Sequence, residues 1–387
     1  MSDVHVTKAG PAASIEQLPQ ELVDRIIDQL GPNIQSLKTV ALLSRRWLPH
    51  SLYSLSQCAW LRIRPGEEAG ASELIRALDE DRSFAQKIVR LAIENVHSFS
   101  VHAITALPHL RELRIRLCAP YEGDLGLRGQ VQPADRTLAI IEVCNVPLAL
   151  AHALLQKFST VDTLLLRNMN STGPLPDPPS SSKPYYVRNL DISNIDTTVL
   201  QYLTAALHSP SLRSLTVDMY TMQQPWAHPA LVHDFVQAVG HALEEYHHNL
   251  CKPFIYVSPD LPALTACTNL ASVSLELDVW SCEREQGRIA MFVRALPART
   301  RRFKVTFWYD ISGEDGLVEV AEMVEWTGLF EGLGQCAGLV CFEVVVRSNR
   351  RRKAHIPPFP DLASSLAAQA LVLEKLPARV RSLTKFP

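Results

Sequence analysis

The chain contains no Cys-x-x-Cys pair; Cys58, Cys118, Cys144, Cys251, Cys267, Cys282, Cys336 and Cys341 are scattered over 387 residues. Scattered so, they read as core cysteines, and no metal is expected. Excess charge is missing as well: 38 Lys+Arg stand against 40 Asp+Glu, which excludes a strongly basic surface and with it nucleic acid as a partner. With 47% hydrophobic residues the chain is no mostly disordered polymer. A membrane span needs about 20 consecutive apolar residues. The most apolar stretch, Leu138 to Leu155, is broken by Glu142, Asn145, Pro147 and His152, and reads as a buried strand followed by a buried helix. Residues 1–13 lack the basic-then-apolar pattern of a signal peptide, so the cysteines are expected reduced, in a cytoplasmic and/or nuclear protein. On that reading Asn170-Ser171-Thr172 is a chance sequon. Gly-x-Ser-x-Gly, His-Glu-x-x-His, P-loop and EF-hand patterns are all absent, so neither catalysis nor a cofactor is expected.

What is present begins after a polar tail, 1–14, expected to be disordered. Over 15–57 the pattern predicts a helical module. Pro19 suits a first helical position and Glu21 the positive helix start. Leu22, Ile26, Ile27 and Leu30 form a helical stripe that Gly31-Pro32-Asn33 ends. Ser36 is the expected N-cap of a second helix carrying Leu37, Val40, Ala41, Leu42 and Leu43; Leu48, Leu52, Tyr53 and Leu55 follow. About 45 residues with so much aliphatic surface cannot hide it all internally, so the module either packs on the rest of the chain or docks on a partner.

Leu18-Pro19-x-Glu21-Leu22, Asp24, Ile26-Ile27-Asp28, Leu30, Ser36-Leu37, Ala41-Leu42, Ser44-Arg45, Trp47-Leu48-Pro49 and Ser51 together resemble an F-box. They are most similar to the version expanded in mushroom-forming fungi. Asn33-Ile34-Gln35, Thr39 and Ser54-Leu55 depart from its usual pattern. The resemblance implies a three-helix module docking on the Skp-type adaptor of SCF ubiquitin ligases, and through it on cullin and RING subunits. It implies that Leu18, Pro19, Leu22, Ile26, Ile27, Leu30, Leu37, Leu43 and Trp47 form or support the docking face.

Beyond the module a hexad recurs, aliphatic-x-x-aliphatic-x-aliphatic. It stands at Ile88-Leu91-Ile93, Leu110-Leu113-Ile115, Leu138-Ile141-Val143, Val161-Leu164-Leu166, Val187-Leu190-Ile192, Leu212-Leu215-Val217, Leu270-Val273-Leu275 and Leu339-Phe342-Val344. Weaker copies are Leu243-Tyr246-His248, Phe303-Val305-Phe307 and terminal Val380-Leu383. The first six start 22, 28, 23, 26 and 25 residues apart, similar to the leucine-rich-repeat period. Helical stripes lie between them: Leu148 to Leu155, Leu200 to Leu207 and Phe235 to Leu243. The usual loop-satisfying Asn or Cys is met by Cys118 and, one residue early, by Asn194; most copies lack it. The expected class is therefore α/β. A three-helix F-box precedes an irregular leucine-rich-repeat solenoid over 58–387, with parallel strands on the concave face and helices outside. The Pro/Ser-rich stretch 168–184 reads as an insertion, either a neutral one or a phosphorylation or partner loop.

Four further patterns stand in the sequence. Gly332-Leu333-Gly334 with Gly338 follows a helical stripe and precedes a strand, the reverse of a dinucleotide loop, and reads as a repeat turn. His241, His247, His248 and Cys251 lack a second ligand pair and read as part of a degenerate repeat strand. The basic run from Arg347 through Arg350-Arg351-Arg352-Lys353 is a solvated loop or a nuclear import signal. Phe303 and Phe307 alternate into the core, which leaves Trp308 as the candidate for exposure. The resulting expectation is a non-catalytic, substrate-recruiting SCF adaptor whose repeats bind an unknown target protein. The alternative is a scaffolding repeat protein whose F-box-like helices merely cap the solenoid. An enzyme with a site in 280–346 would need a convergent acid, base and nucleophile that the sequence does not offer there.

Overall fold

The structure, a computed structural model, describes residues 18–30, 33–56, 58–62, 86–94, 104, 107–117, 134–169, 184–218, 229–250, 264–278, 289–309, 332–334, 336–348, 373, 381–382 and 384–385. The tail 1–14, most of the Pro/Ser-rich stretch, Cys251, Arg350 to Lys353 and the terminal hexad residues Val380 and Leu383 lie outside them. The chain divides into two units, Met1–Leu113 and Arg114–Pro387. Among the described residues no helix is long and apolar enough to cross a membrane.

The first unit opens with α1 (Gln20–Gln29), α2 (Ile34–Ala41) and α3 (Leu48–Ser56). Pro19 stands just before α1, not in its first turn: its ψ of 144° is extended, and its carbonyl accepts from the amides of Leu22 and Val23. The start of α2 differs too. Asn33, not Ser36, is the N-cap, and its side chain accepts from the Ser36 amide at 3.0 Å. A short acceptor on an extended residue reaches that third amide, whereas Ser36 already lies inside the helix.

The core row of α1 is Val23 and Ile27, one turn apart, packed with Leu37 and Trp47; Leu18, Leu30, Val40 and Leu55 press against them. Val23 thus takes the inward place that the stripe reading gave to Leu22 and Ile26. Two aliphatic i, i+4 rows compete on this helix, and the row that meets Trp47 is buried. Strands β1 (Cys58–Arg62) and β2 (Arg90–Glu94) pair in parallel, with Ala59 opposite Leu91 and Leu61 opposite Ile93. This makes β1 a repeat copy that the hexad pattern passes over, because alanine fills its second slot. Strand β3 (Glu112–Arg116) spans the division between the units.

The second unit carries β4 (Ala134–Cys144), β5 (Phe158–Met169), β6 (Tyr186–Ile195), β7 (Ser214–Asp218), β8 (Glu245–Leu250), β9 (Ser272–Asp278), β10 (Arg302–Tyr309), β11 (Cys341–Ser348) and β12 (Thr384–Lys385). Each pairs in parallel with its sequence neighbour. Parallel strands stacked in chain order, with helical crossovers between several of them, define an α/β solenoid of the leucine-rich-repeat-like kind. Helices α4 (Leu148–Leu155), α5 (Thr197–Ala206) and α6 (Pro229–Val239) bury their apolar faces. Asp196 caps α5 by accepting from the Val199 amide at 2.8 Å.

The hexads are the sheet register. Ile141, Leu164, Leu190, Leu215, Tyr246, Val273, Phe303 and Phe342 lie side by side, all buried. Burial of each is worth about 1.5–3 kcal/mol, so stacking stabilises strands that alone would not persist. The register corrects one copy. Phe303 pairs with Val273 and Val305 with Leu275, so Phe303 and Val305 fill the second and third slots of β10. The first slot belongs to Thr300, fully buried with its hydroxyl unpartnered. A polar residue there hid the true phase and shifted the reading to Phe303-Val305-Phe307.

The loop asparagines are also more regular than the sequence pattern suggested. Asn145, Asn168 and Asn194 each follow the third aliphatic residue of their hexad by two positions, with φ of 57°, 50° and 52°. Asparagine tolerates the left-handed region. Its side chain then bridges strands: Asn145 Nδ2 donates to the Leu117 carbonyl at 2.7 Å, and Asn194 Nδ2 to Asn168 Oδ1 at 2.9 Å. Asn168 and Met169 therefore close β5 rather than opening the insertion.

Gly338 leads into β11 where the previous repeat passes close by; a Cβ there would lie 2.4 Å from the Ala298 carbonyl oxygen. Backbone cannot yield as a side-chain tip can. Gly338→Ala is expected to cost about 1–3 kcal/mol in urea unfolding. Gly334→Ala, with nothing within 4 Å of the added carbon, should leave the midpoint unchanged or raise it slightly.

Candidate functional site

Strand alternation sends the residues between the hexad positions to the opposite, open face of the second unit's sheet. One row there runs Glu142, Leu165, Asp191, Thr216, His247, Ser274, Lys304, Glu343. The next contains Arg167, Ser193, Asp218, Asn249, Glu276 and Thr306. Parallel in-register pairing places these side chains about 4.8 Å apart, close enough for each strand to answer its neighbour's charge.

That answering produces an ionic ladder. Glu142 receives Arg116 at 3.4 Å, and Arg114 and Arg167 at 3.8 Å; Arg167 also reaches Asp191 at 3.5 Å. The Glu142 side chain is 12% exposed, the three arginines 40–52%. Burial raises the Asp191 carboxyl above its ordinary range, against the pull of Arg167. Further along, His247 Nε2 lies 3.7 Å from Glu276, and burial lowers its basicity although Glu276, Asp191 and Asp218 act in the other direction. Trp308 Nε1 donates to Glu276 at 2.9 Å, so this indole is held on the face, half-buried, rather than projecting freely. Lys304 and Glu343 close the series at 3.4 Å. Glu142→Ala would remove the carboxylate these three arginines share, with Arg167 keeping Asp191, and because the arginines are 40–52% exposed the expected loss is about 0.5–1.5 kcal/mol in urea unfolding.

His248 faces away from its neighbour. It occupies the third hexad slot between Val217 and Leu275, 2% exposed, with Nδ1 2.6 Å from the Tyr246 hydroxyl. His247 and His248 therefore lie on opposite faces of β8 and do not converge. Among the described residues no group of three or more His, Cys, Asp or Glu is placed to hold a metal ion. A second polar knot lies at the helices. The hydroxyls of Tyr185 and Tyr202 both meet His152 Nδ1 and stand 3.0 Å from each other. Burial raises both phenols, Tyr202 to about 12. The knot ties α4, α5 and the residue before β6 together; in the sequence it showed only as one interruption of an apolar stretch.

In the first unit, the nine residues named from the F-box resemblance divide by depth. Ile27, Leu37 and Trp47 are buried, and Leu18 and Leu30 are partly buried against them. Pro19, Leu22, Ile26 and Leu43 are exposed. Leu42, Leu48, Leu52 and Tyr53 join these outside. Leu42 reaches 87% exposure because α2 ends at Ala41 and the chain turns there.

No family model matches the chain, and no curated protein matches it. Among solved structures it is similar to the leucine-rich repeat-containing protein LegL7 from Legionella pneumophila, with 13% identity and a TM-score of 0.37, over 84% of this chain and 99% of that one. The class, a leucine-rich-repeat-like α/β solenoid, rests on the chain's own strand order and register.

Proposed function

We propose that the protein is a non-catalytic recruiting adaptor. On this reading residues 15–57 are an F-box that docks on the Skp-type subunit of an SCF-type ubiquitin ligase, and the repeat face binds a target protein. One observation carries the reading. Seven of the ten large hydrophobic residues exposed among the described residues (Leu22, Ile26, Leu42, Leu43, Leu48, Leu52 and Tyr53) belong to this short module. Helices serving only to cover the end of a repeat array would turn that surface inward. Concentrated exposed apolar surface marks a protein interface, and aliphatic anchors on short helices suit helix-in-groove recognition. The repeats would then hold target lysines near the charged conjugating enzyme, contributing effective concentration rather than bond chemistry.

The test is co-purification of the full chain with a Skp-type adaptor, beside a Leu22→Ser/Leu43→Ser variant. Both sites are solvent-facing, so the variant should fold and lose the partner. Undiminished capture by this variant would sink the docking reading.

A further inference from the structure

We propose that the open face of the second unit reads charge order, its target being an extended segment with acidic side chains toward one end and basic ones toward the other. This rests on the reading that the repeat face binds a target protein.

One row of that face shows the order. It runs Cys144, Arg167, Ser193, Asp218, Asn249, Glu276 across β4 to β9, each residue in register with the next. From Arg167 on, charged side chains stand on every second strand, and small uncharged ones fill the strands between. At the β3 side Arg114 and Arg116 join Arg167, all three within 3.8 Å of Glu142. Glu142 is the least exposed of this group, so the guanidiniums stand above the carboxylate that gathers them. An approaching chain meets cations at this end.

The sign reverses from β6 onward. Over β6 to β9 the alternating open-face positions hold Asp191, Asp218, Glu245 and Glu276, and no lysine or arginine. Burial lowers the basicity of His247 beside them, which leaves the ring neutral at pH 7. The His247 ring and the Trp308 indole that meet Glu276 therefore bring it no permanent charge.

Strand spacing sets the length of the segment. Neighbouring strands lie about 4.8 Å apart, so Arg167, Asp218 and Glu276 follow one another at about 10 Å. An extended chain covers that distance in about three residues. Two carboxylates and then two ammonium groups at that interval would lie over Arg116 and Arg167, then over Asp218 and Glu276. A uniformly acidic or uniformly basic segment meets like charge at one end, and such juxtapositions exclude wrong partners.

Fluorescence anisotropy with the full-length chain tests the proposal. The probe is a blocked, dye-labelled dodecapeptide with two aspartates and then two lysines at every third position, and serine or alanine elsewhere. Its control interleaves the same aspartates and lysines, so length, composition and net charge are equal. The ordered peptide should bind about tenfold more tightly than the interleaved one, and added salt should erase the difference. Arg167→Gln and Asp218→Asn should each weaken the ordered peptide about fivefold. Arg213→Gln, which removes an exposed arginine outside the row, should leave it unchanged. The wild-type comparison needs no substitution, so a variant that fails to fold in urea controls leaves the test standing. Equal affinity for the two peptides overturns the proposal, as does an equal loss in Arg213→Gln. If Arg167→Gln then weakens both peptides, the repeat face stands as a docking surface without charge order. No binding of either peptide, or binding that neither Arg167→Gln nor Asp218→Asn weakens, removes the reading of this face as the target site, and this inference with it.

Discussion

Trp47→Ala is expected to melt the N-terminal helices. Trp47 is 3% exposed and closes the cluster of Val23, Ile27 and Leu37, all fully buried. Truncating a buried tryptophan costs about 3–5 kcal/mol. A module of about 45 residues holds little more than that in reserve, because so small a unit buries a small share of its surface. Amide exchange of α1 measures it directly: protection at Val23 and Ile27 should collapse, while the repeat strands keep theirs. Leu43→Ala, at a side chain 63% exposed, should leave protection within about 0.5 kcal/mol of wild type. The pair separates two causes of lost partner capture. If the module docks as proposed, loss of capture in Trp47→Ala reports unfolding, whereas in Leu43→Ala it reports a missing contact. Full α1 protection in Trp47→Ala would mean that the cluster does not hold the helices.

Acid should destabilise the repeat unit over an unusually wide range, with His248 the main cause. Burial first, and the neighbouring His247 second, lower its basicity to about 3. In the unfolded chain a histidine titrates near about 6.5. Below that value the unfolded state takes a proton that the folded state refuses. Stability from this group is therefore complete above about pH 6.5, falls by about 1.4 kcal/mol per unit through the interval, and stops falling near pH 3. The half-buried Asp191, whose carboxyl is raised, acts oppositely and softens the acid limb. At the alkaline end, buried Tyr185, Tyr202 and Tyr246, all raised, lose stability as pH climbs through the free-phenol range. Tyr246→Phe with His248→Leu returns both slots of β8 to apolar residues and removes the two polar partners together. That double variant should gain stability at pH 5 and show a flatter acid limb in urea unfolding. An unchanged slope between pH 6 and 4 would assign the acid limb to other groups.

The parts of this molecule that could be read from its sequence are those where one side chain reports one environment. Leu164, Leu166, Leu190 and Ile192 must face inward whatever surrounds them, so the parallel strands and their order were legible. Where a slot is filled against type the pattern failed: Ala59 in β1 and Thr300 before β10 concealed the phase that pairing with Leu91 and Val273 defines. Asn33 displaced Ser36 as the cap of α2 because capping depends on which residue is extended, a backbone property that either sequence position allows. The open face was less legible still. Glu142 and Arg167 are far apart in the chain, and they meet only because Val143 stacks on Leu166.

By itself, the sequence determined the class: repeating aliphatic hexads demand a stacked sheet, since no single strand can bury its own row. It also determined that 15–57 carries more aliphatic surface than so few residues can cover. Only the tertiary structure decided which of those residues are spent on folding and which are left exposed. On α1 both aliphatic rows have helical spacing and similar hydrophobicity, and the choice between Val23-Ile27 and Leu22-Ile26 was made by the position of one distant tryptophan.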